Sequence, residues 1–213
     1  MHDRRVSLLD LPSVPESVLA AEVAARLPAS TPGPPWHCRV RAVVWLQRTT
    51  APGVDGATGT TMGAVVDYLD SPVGAYREVF AGPLLRHAGL LTVHVPFIAV
   101  DSVPSVHGGR AHWGLPKALA SFTGDVGTGR VRAEGDGWSV GVEARTAGLP
   151  VPLVGTFANR QAAGRARVSL RGRGRLARVG VDALGPTLAG WLGSGTHPGV
   201  VGTGRLVVHP PQA

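Results

Sequence analysis

An α+β fold dominated by β-structure, a barrel or meander sheet carrying a few short helices, is predicted from three observations. Glycine and proline are abundant, 30 and 18 of 213 residues, and both are costly inside helices but common in the turns of β-rich folds. Short apolar, β-branched segments recur at spacings of roughly ten residues through the second half of the chain, the pattern of a barrel or sandwich. A hydrophobic fraction of 44% in 213 residues suffices for one sizeable core. Residues 1–213 are therefore expected to form a single domain, with 1–35 as an N-terminal helix and linker.

The elements follow in order. Residues 15–27 (PESVLAAEVAARL) carry apolar positions at helical spacing and stop before Pro28, predicting a short amphipathic helix. A proline-rich linker, 28–35, leads to 38–47 (CRVRAVVWLQ), which begins with strand alternation and becomes continuously apolar. Residues 50–59 read as a Gly/Thr-rich loop, 63–68 as a strand and 71–74 (SPVG) as a turn before Tyr76. The long apolar run 90–101 (LLTVHVPFIAVD) predicts one buried strand, followed by a loop, 102–110. In 111–121 (AHWGLPKALAS), Pro116 is placed to open a short helix. Further short strands are expected around Val131 and over 138–145, 153–157, 166–170, 177–181 and 204–209, with no internal repeat.

Charge and motifs narrow the function. The net charge is +7, yet 20 of the 21 basic residues are arginine and Lys117 is the only lysine. Residues 164–178 place Arg165, Arg167, Arg171, Arg173 and Arg175 on one parity of an extended strand. No aromatic residue interleaves with them, so a solvated or inter-subunit face is expected and nucleic-acid binding is not. No apolar stretch reaches the roughly 20 residues of a membrane span, and the first residues lack a signal-peptide core. A cytoplasmic protein without a membrane partner is the expectation. The single Cys38 reads as a small core residue. The eight histidines lack ligand spacing, so no metal and no cofactor are expected. GDVGTG at 124–129 reads as a turn, and Ser102, Ser105 and His107 are too close in one segment for a triad.

The remaining signal surrounds the lysine. Gly109-Arg110 leads through Trp113 to Pro116-Lys117, and Tyr76-Arg77-Glu78 lies upstream. In order and spacing these segments resemble the acetoacetate decarboxylase family, whose Pro-Lys lysine forms a Schiff base with substrate and whose Tyr-x-Glu supplies an active-site carboxylate. The resemblance extends over most of the chain after about residue 36. It implies a Schiff-base lyase, a decarboxylase or an aldolase/dehydratase, acting on a small 2-oxo or 3-oxo acid. Lys117 would be the nucleophile and Glu78 the carboxylate. Arg110 or Arg41, with Arg39 as a neighbour, would contact the substrate carboxylate. Tyr76 would also line the site, and Trp113, Leu115 and Leu119 are its expected walls. His112 is either a proton shuttle or a hydrogen-bonded loop histidine. A homo-oligomer is implied as well. Two positions depart from the family: its second lysine is here Ala118, and its partner carboxylate falls in 63–66, where no acid stands.

The chemistry requires such an environment, because an amine adds to a carbonyl only when unprotonated and an ordinary lysine titrates near 10.4. A lone buried lysine of this kind would penalise folding, so Lys117→Met is expected to be stabilising at neutral pH. Two rival readings carry different tests. A catalytically silent small-acid-binding protein would give no borohydride-trapped adduct, and an arginine-mediated nucleic-acid binder would show strongly salt-dependent binding.

Overall fold

Extended segments rich in valine and glycine pair into one 11-stranded sheet in the computed structural model, which describes residues 8, 10–48, 54, 56–86 and 91–212. The strands are β1 (Trp36–Arg48), β2 (Ala57–Asp70), β3 (Tyr76–Leu85), β4 (Thr92–Val93), β5 (Phe97–Val100), β6 (Ala118–Leu119), β7 (Ser121–Asp125), β8 (Arg130–Gly135), β9 (Trp138–Gln161), β10 (Gly164–Leu184) and β11 (Gly195–Gln212). The helices are α1 (Ala21–Ala24), α2 (Val103–Trp113) and α3 (Leu188–Trp191). Helix α2 alone exceeds one turn by much. The β-dominated α+β class is what the sequence predicts.

The sheet runs β6-β5-β3-β2-β1-β11-β10-β9-β8-β7, and β4 pairs with both β3 and β9. That double pairing closes β4, β3, β2, β1, β11, β10 and β9 into a ring, a barrel without free edges along its wall. Each long strand serves two cores. On β1 the even residues Cys38 and Val40 face one cluster, while Val43 and Trp45 face another. The second cluster, with Trp138, Trp191, Phe97 and Leu188, is solid and lies under β5, β7, β8 and α3.

Several sequence expectations are corrected. Residues 15–27 do not form one helix: a 3-10 turn Pro15–Ser17 and α1 are separated by extended backbone at Val18 and Ala20. The segment is captured by the sheet, since Ser17 Oγ donates to Ile98 O at 3.2 Å and accepts from Ile98 N at 2.8 Å. Glu16 accepts from Thr187 N and Oγ1 and from Leu188 N. The run 90–101 is two strands, β4 and β5, broken around Pro96; residue 90 itself lies outside the described residues, as do 50–53 and 55 of the expected loop. The rest of that loop gives way at Ala57, where β2 begins.

The short strands expected over 138–209 are segments of three long ones, β9 to β11. Glycines are paired inside the sheet, Gly172 opposite Gly204 and Gly174 opposite Gly202. A Cβ on Gly172 would fall 2.2 Å from Thr203 O, so these glycines permit close backbone approach rather than a turn.

Candidate active site

The loop expected at 102–110 is helix α2. Ser102 caps it by accepting from Ser105 N at 3.3 Å, and a proline occupies its first turn. Its two central glycines hide it from a propensity reading but are needed by packing: a Cβ on Gly109 would sit 2.5 Å from Lys117 Cδ. The helix ends on Gly114 at φ 64°, with Leu115 N donating back to Gly109 O at 3.1 Å. Pro116 therefore opens no helix; it leads into Lys117 and the two-residue β6, which pairs with β5.

Lys117 and Glu78, from β3, are both 3% exposed. Lys117 Nζ lies 2.7 Å from Glu78 Oε2 and donates to Ser105 Oγ at 3.0 Å. It also stands 5.1 Å from the ring centre of Tyr76, within cation–π range. Glu78 Oε1 accepts from Tyr68 Oη at 3.1 Å, and Tyr68 stacks on Tyr76 with centroids 4.2 Å apart. Burial, and then the Glu78 charge, push both phenols well above their ordinary value, so they remain protonated.

These groups line a cavity of about 310 Å³ inside the barrel. Its wall takes Trp36, Cys38, Val40, Ala42 and Val44 from β1, with Leu206 and Val208 from β11. Phe80, Phe157, Val168, Trp113 and Leu115 extend it. Asn159 also borders it, and its buried Oδ1 has no hydrogen-bond partner among the described residues. Burial pushes the Cys38 thiol up to about 12, with Glu78 adding to the rise against Lys117, so it is not a thiolate near neutral pH.

The structure brings Lys117, Glu78, Tyr76, Trp113 and Leu115 together, and separates the other residues named from sequence. Arg110 is buried and fully engaged in backbone carbonyls: Nε donates to Lys117 O at 2.7 Å, Nη1 to Leu8 O at 2.7 Å and Nη2 to Ser17 O at 3.3 Å. It fixes the lysine's backbone and does not line the cavity. Arg41 and Arg39 occupy odd positions of β1, away from the cavity-facing even ones, and Arg41 pairs with Asp125 at 3.1 Å. Strand alternation in CRVRAVV carried that signal already. His112 Nε2 is 3.2 Å from Thr31 Oγ1 and lies outside the cavity wall, as does Leu119. Ser105, Tyr68, Cys38 and Asn159 were not among the residues picked from sequence. Ser105 stood in plain view three residues after a helix-capping serine; Tyr68 is set beside Tyr76 by the β2–β3 hairpin, and Cys38 and Asn159 meet the cavity through long-range strand pairing.

A buried amine and carboxylate on the wall of a ligand-sized apolar chamber define a class of protein that holds an ion pair inside a closed barrel. The chain matches no protein-family model and no curated protein. Solved structures share its architecture. Acetoacetate decarboxylase from Legionella pneumophila subsp. pneumophila str. Philadelphia 1 superposes with a TM-score of 0.63 at 13% identity, covering 86% of this chain and 89% of that one. The enduracididine biosynthesis enzyme MppR, complexed with pyruvate, gives 0.55 at 16% identity, with 85% and 90% covered. An acetoacetate decarboxylase-like enzyme from Sphingomonas wittichii RW1 gives 0.55 at 15% identity, with 82% and 90% covered. The protein has the acetoacetate decarboxylase-like fold. No helix among the described residues is long and apolar enough to cross a membrane.

Proposed function

We propose that the protein is a Schiff-base lyase in which Lys117 is the nucleophile, acting on a 3-oxo acid by decarboxylation in preference to aldol or dehydration chemistry on a 2-oxo acid. The observation that carries the reading is the 2.7 Å contact between the chain's only lysine and Glu78 inside the cavity. Glu78 takes the ammonium proton, and the neutral amine adds to the substrate carbonyl; loss of water gives the iminium. The bond to the β-carboxylate then breaks, its electrons pass to the iminium nitrogen, carbon dioxide leaves and an enamine remains. The proton that Glu78 took from the ammonium leaves in that water, so a second proton, taken up from solvent and passed through Glu78, goes to the enamine carbon, and hydrolysis then frees the ketone and the lysine.

The preference for a 3-oxo acid follows from charge. A 2-oxo acid keeps its carboxylate beside the imine throughout and needs a lasting counter-charge, whereas a 3-oxo acid loses its carboxylate as carbon dioxide. Arg110 and Arg41 supply no such charge to the cavity, and Glu78 repels a carboxylate held next to it. Ser105 and Tyr76 hold the amine in place, and Tyr68 orients the Glu78 carboxyl.

Incubation with acetoacetate and longer 3-oxo acids, reduction with borohydride and peptide mass spectrometry test the reading. The expected adduct is on Lys117 and is absent from Lys117→Gln. An adduct confined to the N-terminus, or none across the panel, defeats it. A homo-oligomer forms part of the same proposal, supported by the exposed Leu149, Val154 and Leu176 on neighbouring strands β9 and β10; light scattering that gives a monomer rejects that part.

A further inference from the structure

The chamber is far larger and more apolar than acetoacetate or pyruvate requires. At about 310 Å³ it is about twice the 150 Å³ apolar cavity that binds a benzene ring. Among the described residues Lys117 and Glu78 are the only charged ones on its wall, and they neutralise each other. The rest of the wall is almost wholly aliphatic and aromatic, contributed by every strand of the closed ring. A second carboxylate, phosphate or ammonium on the ligand would be stripped of water there with no partner of opposite charge. An apolar substituent would gain from every methylene it buries.

We infer that the carbonyl compound bound at Lys117 carries a neutral, apolar body of roughly eight to ten carbons, straight-chain or aryl-bearing, which fills the barrel interior while its carbonyl faces the amine. The inference rests on the Schiff-base reading and names its substrate class: 3-oxo acids with an apolar tail, leaving as methyl ketones. Reversal of hydrolysis makes those ketones ligands as well. The ketone carbonyl and the Lys117 amine combine with loss of water to the iminium, and borohydride delivers a hydride that fixes it as a secondary amine.

The test has two arms. In the first, acetone, 2-heptanone, 2-nonanone, 4-phenylbutan-2-one, pyruvate and acetoacetate are titrated in borohydride trapping, and the half-saturating concentration for the Lys117 adduct is measured by mass spectrometry. The value for 2-nonanone or 4-phenylbutan-2-one is expected to be at least tenfold below that for acetone and pyruvate. Equal values, or tightest trapping of pyruvate or acetoacetate, overturn the inference. Ala64→Leu and Ala42→Leu each push a branched side chain into the cavity. In whichever folds, the advantage of 2-nonanone over acetone should shrink at least tenfold, and an unchanged ratio overturns it. In the second arm 2-nonanol, which cannot form an imine, is added to the wild type in thermal melts. A rise in Tm that Ala64→Leu or Ala42→Leu suppresses supports the apolar chamber, and no rise overturns it. If 2-nonanol stabilises while no ketone is trapped, the chamber stands and the Schiff-base reading is what fails.

Discussion

The two halves of the sheet use the same strands to opposite ends. Around Trp45, Trp138 and Trp191 the side chains meet in a solid core, and its one buried amide group, Gln47, accepts from Trp45 Nε1 at 3.0 Å and donates to Trp191 O at 3.0 Å. Around Lys117 the barrel stays hollow and holds a charged pair at 3% exposure. A void forfeits dispersion contacts and a buried ion pair recovers its desolvation cost only with good partners. Stability is thus concentrated in one half and the buried lysine–glutamate pair placed in the other.

That contrast can be broken most severely in the solid half. Trp191→Ala is expected to cost about 3–5 kcal/mol in urea unfolding, whereas Leu206→Ala, which only enlarges an existing hollow, should cost less than about 2 kcal/mol. Comparable losses would mean that the chamber collapses around its wall.

Next comes the charged pair. Lys117→Met strands the Glu78 carboxylate in an apolar wall and should cost about 3 kcal/mol. The double variant Lys117→Met/Glu78→Met should recover most of it. The stabilising effect expected of Lys117→Met from sequence therefore changes sign, because that expectation weighed the burial of the amine without its direct 2.7 Å pairing to Glu78. A single variant as stable as the wild type would refute the pairing.

Gly109→Ala sharpens the comparison from the helix side. Its Cβ would meet the lysine stem at 2.5 Å, so borohydride trapping should fall at least tenfold while unfolding changes by only about 1–3 kcal/mol. Trapping at the wild-type level would show that the lysine does not depend on this contact.

The smallest effect is a pH dependence at a residue that does not line the chamber. Burial opposes the charge on Glu16, but hydrogen bonds from Thr187 and Leu188 outweigh it and hold this carboxyl below its ordinary value of 4.5. A depressed folded pKa stabilises the fold above the unfolded value and is lost as pH falls through the folded one. Glu16→Gln should therefore cost about 1–2 kcal/mol at pH 7, with the gap closing under acid conditions below pH 4.5. A gap independent of pH would mean the carboxylate charge plays no part.

The sequence by itself determined the β-rich class and the singularity of Lys117, because composition and a lone residue type are properties of the chain; the association of Lys117 with Glu78 and Tyr76 was implied by the resemblance to a known family. Local signals failed where distant contacts outweighed propensity. Helix α2 was hidden by two glycines, Gly108 packed against Trp36 and Gly109 against the lysine stem, and the 15–27 helix was broken by Ser17 and Glu16 reaching β5 and α3. The tertiary structure alone decided that Arg110 holds backbone carbonyls, that Ser105 and Tyr68 join the amine and the carboxylate, and that the chamber is apolar. The enclosure of that chamber depends on ring closure through β4, a two-residue strand whose pairing with β3 and β9 joins segments more than sixty residues apart; no local pattern encodes a register set by that distance.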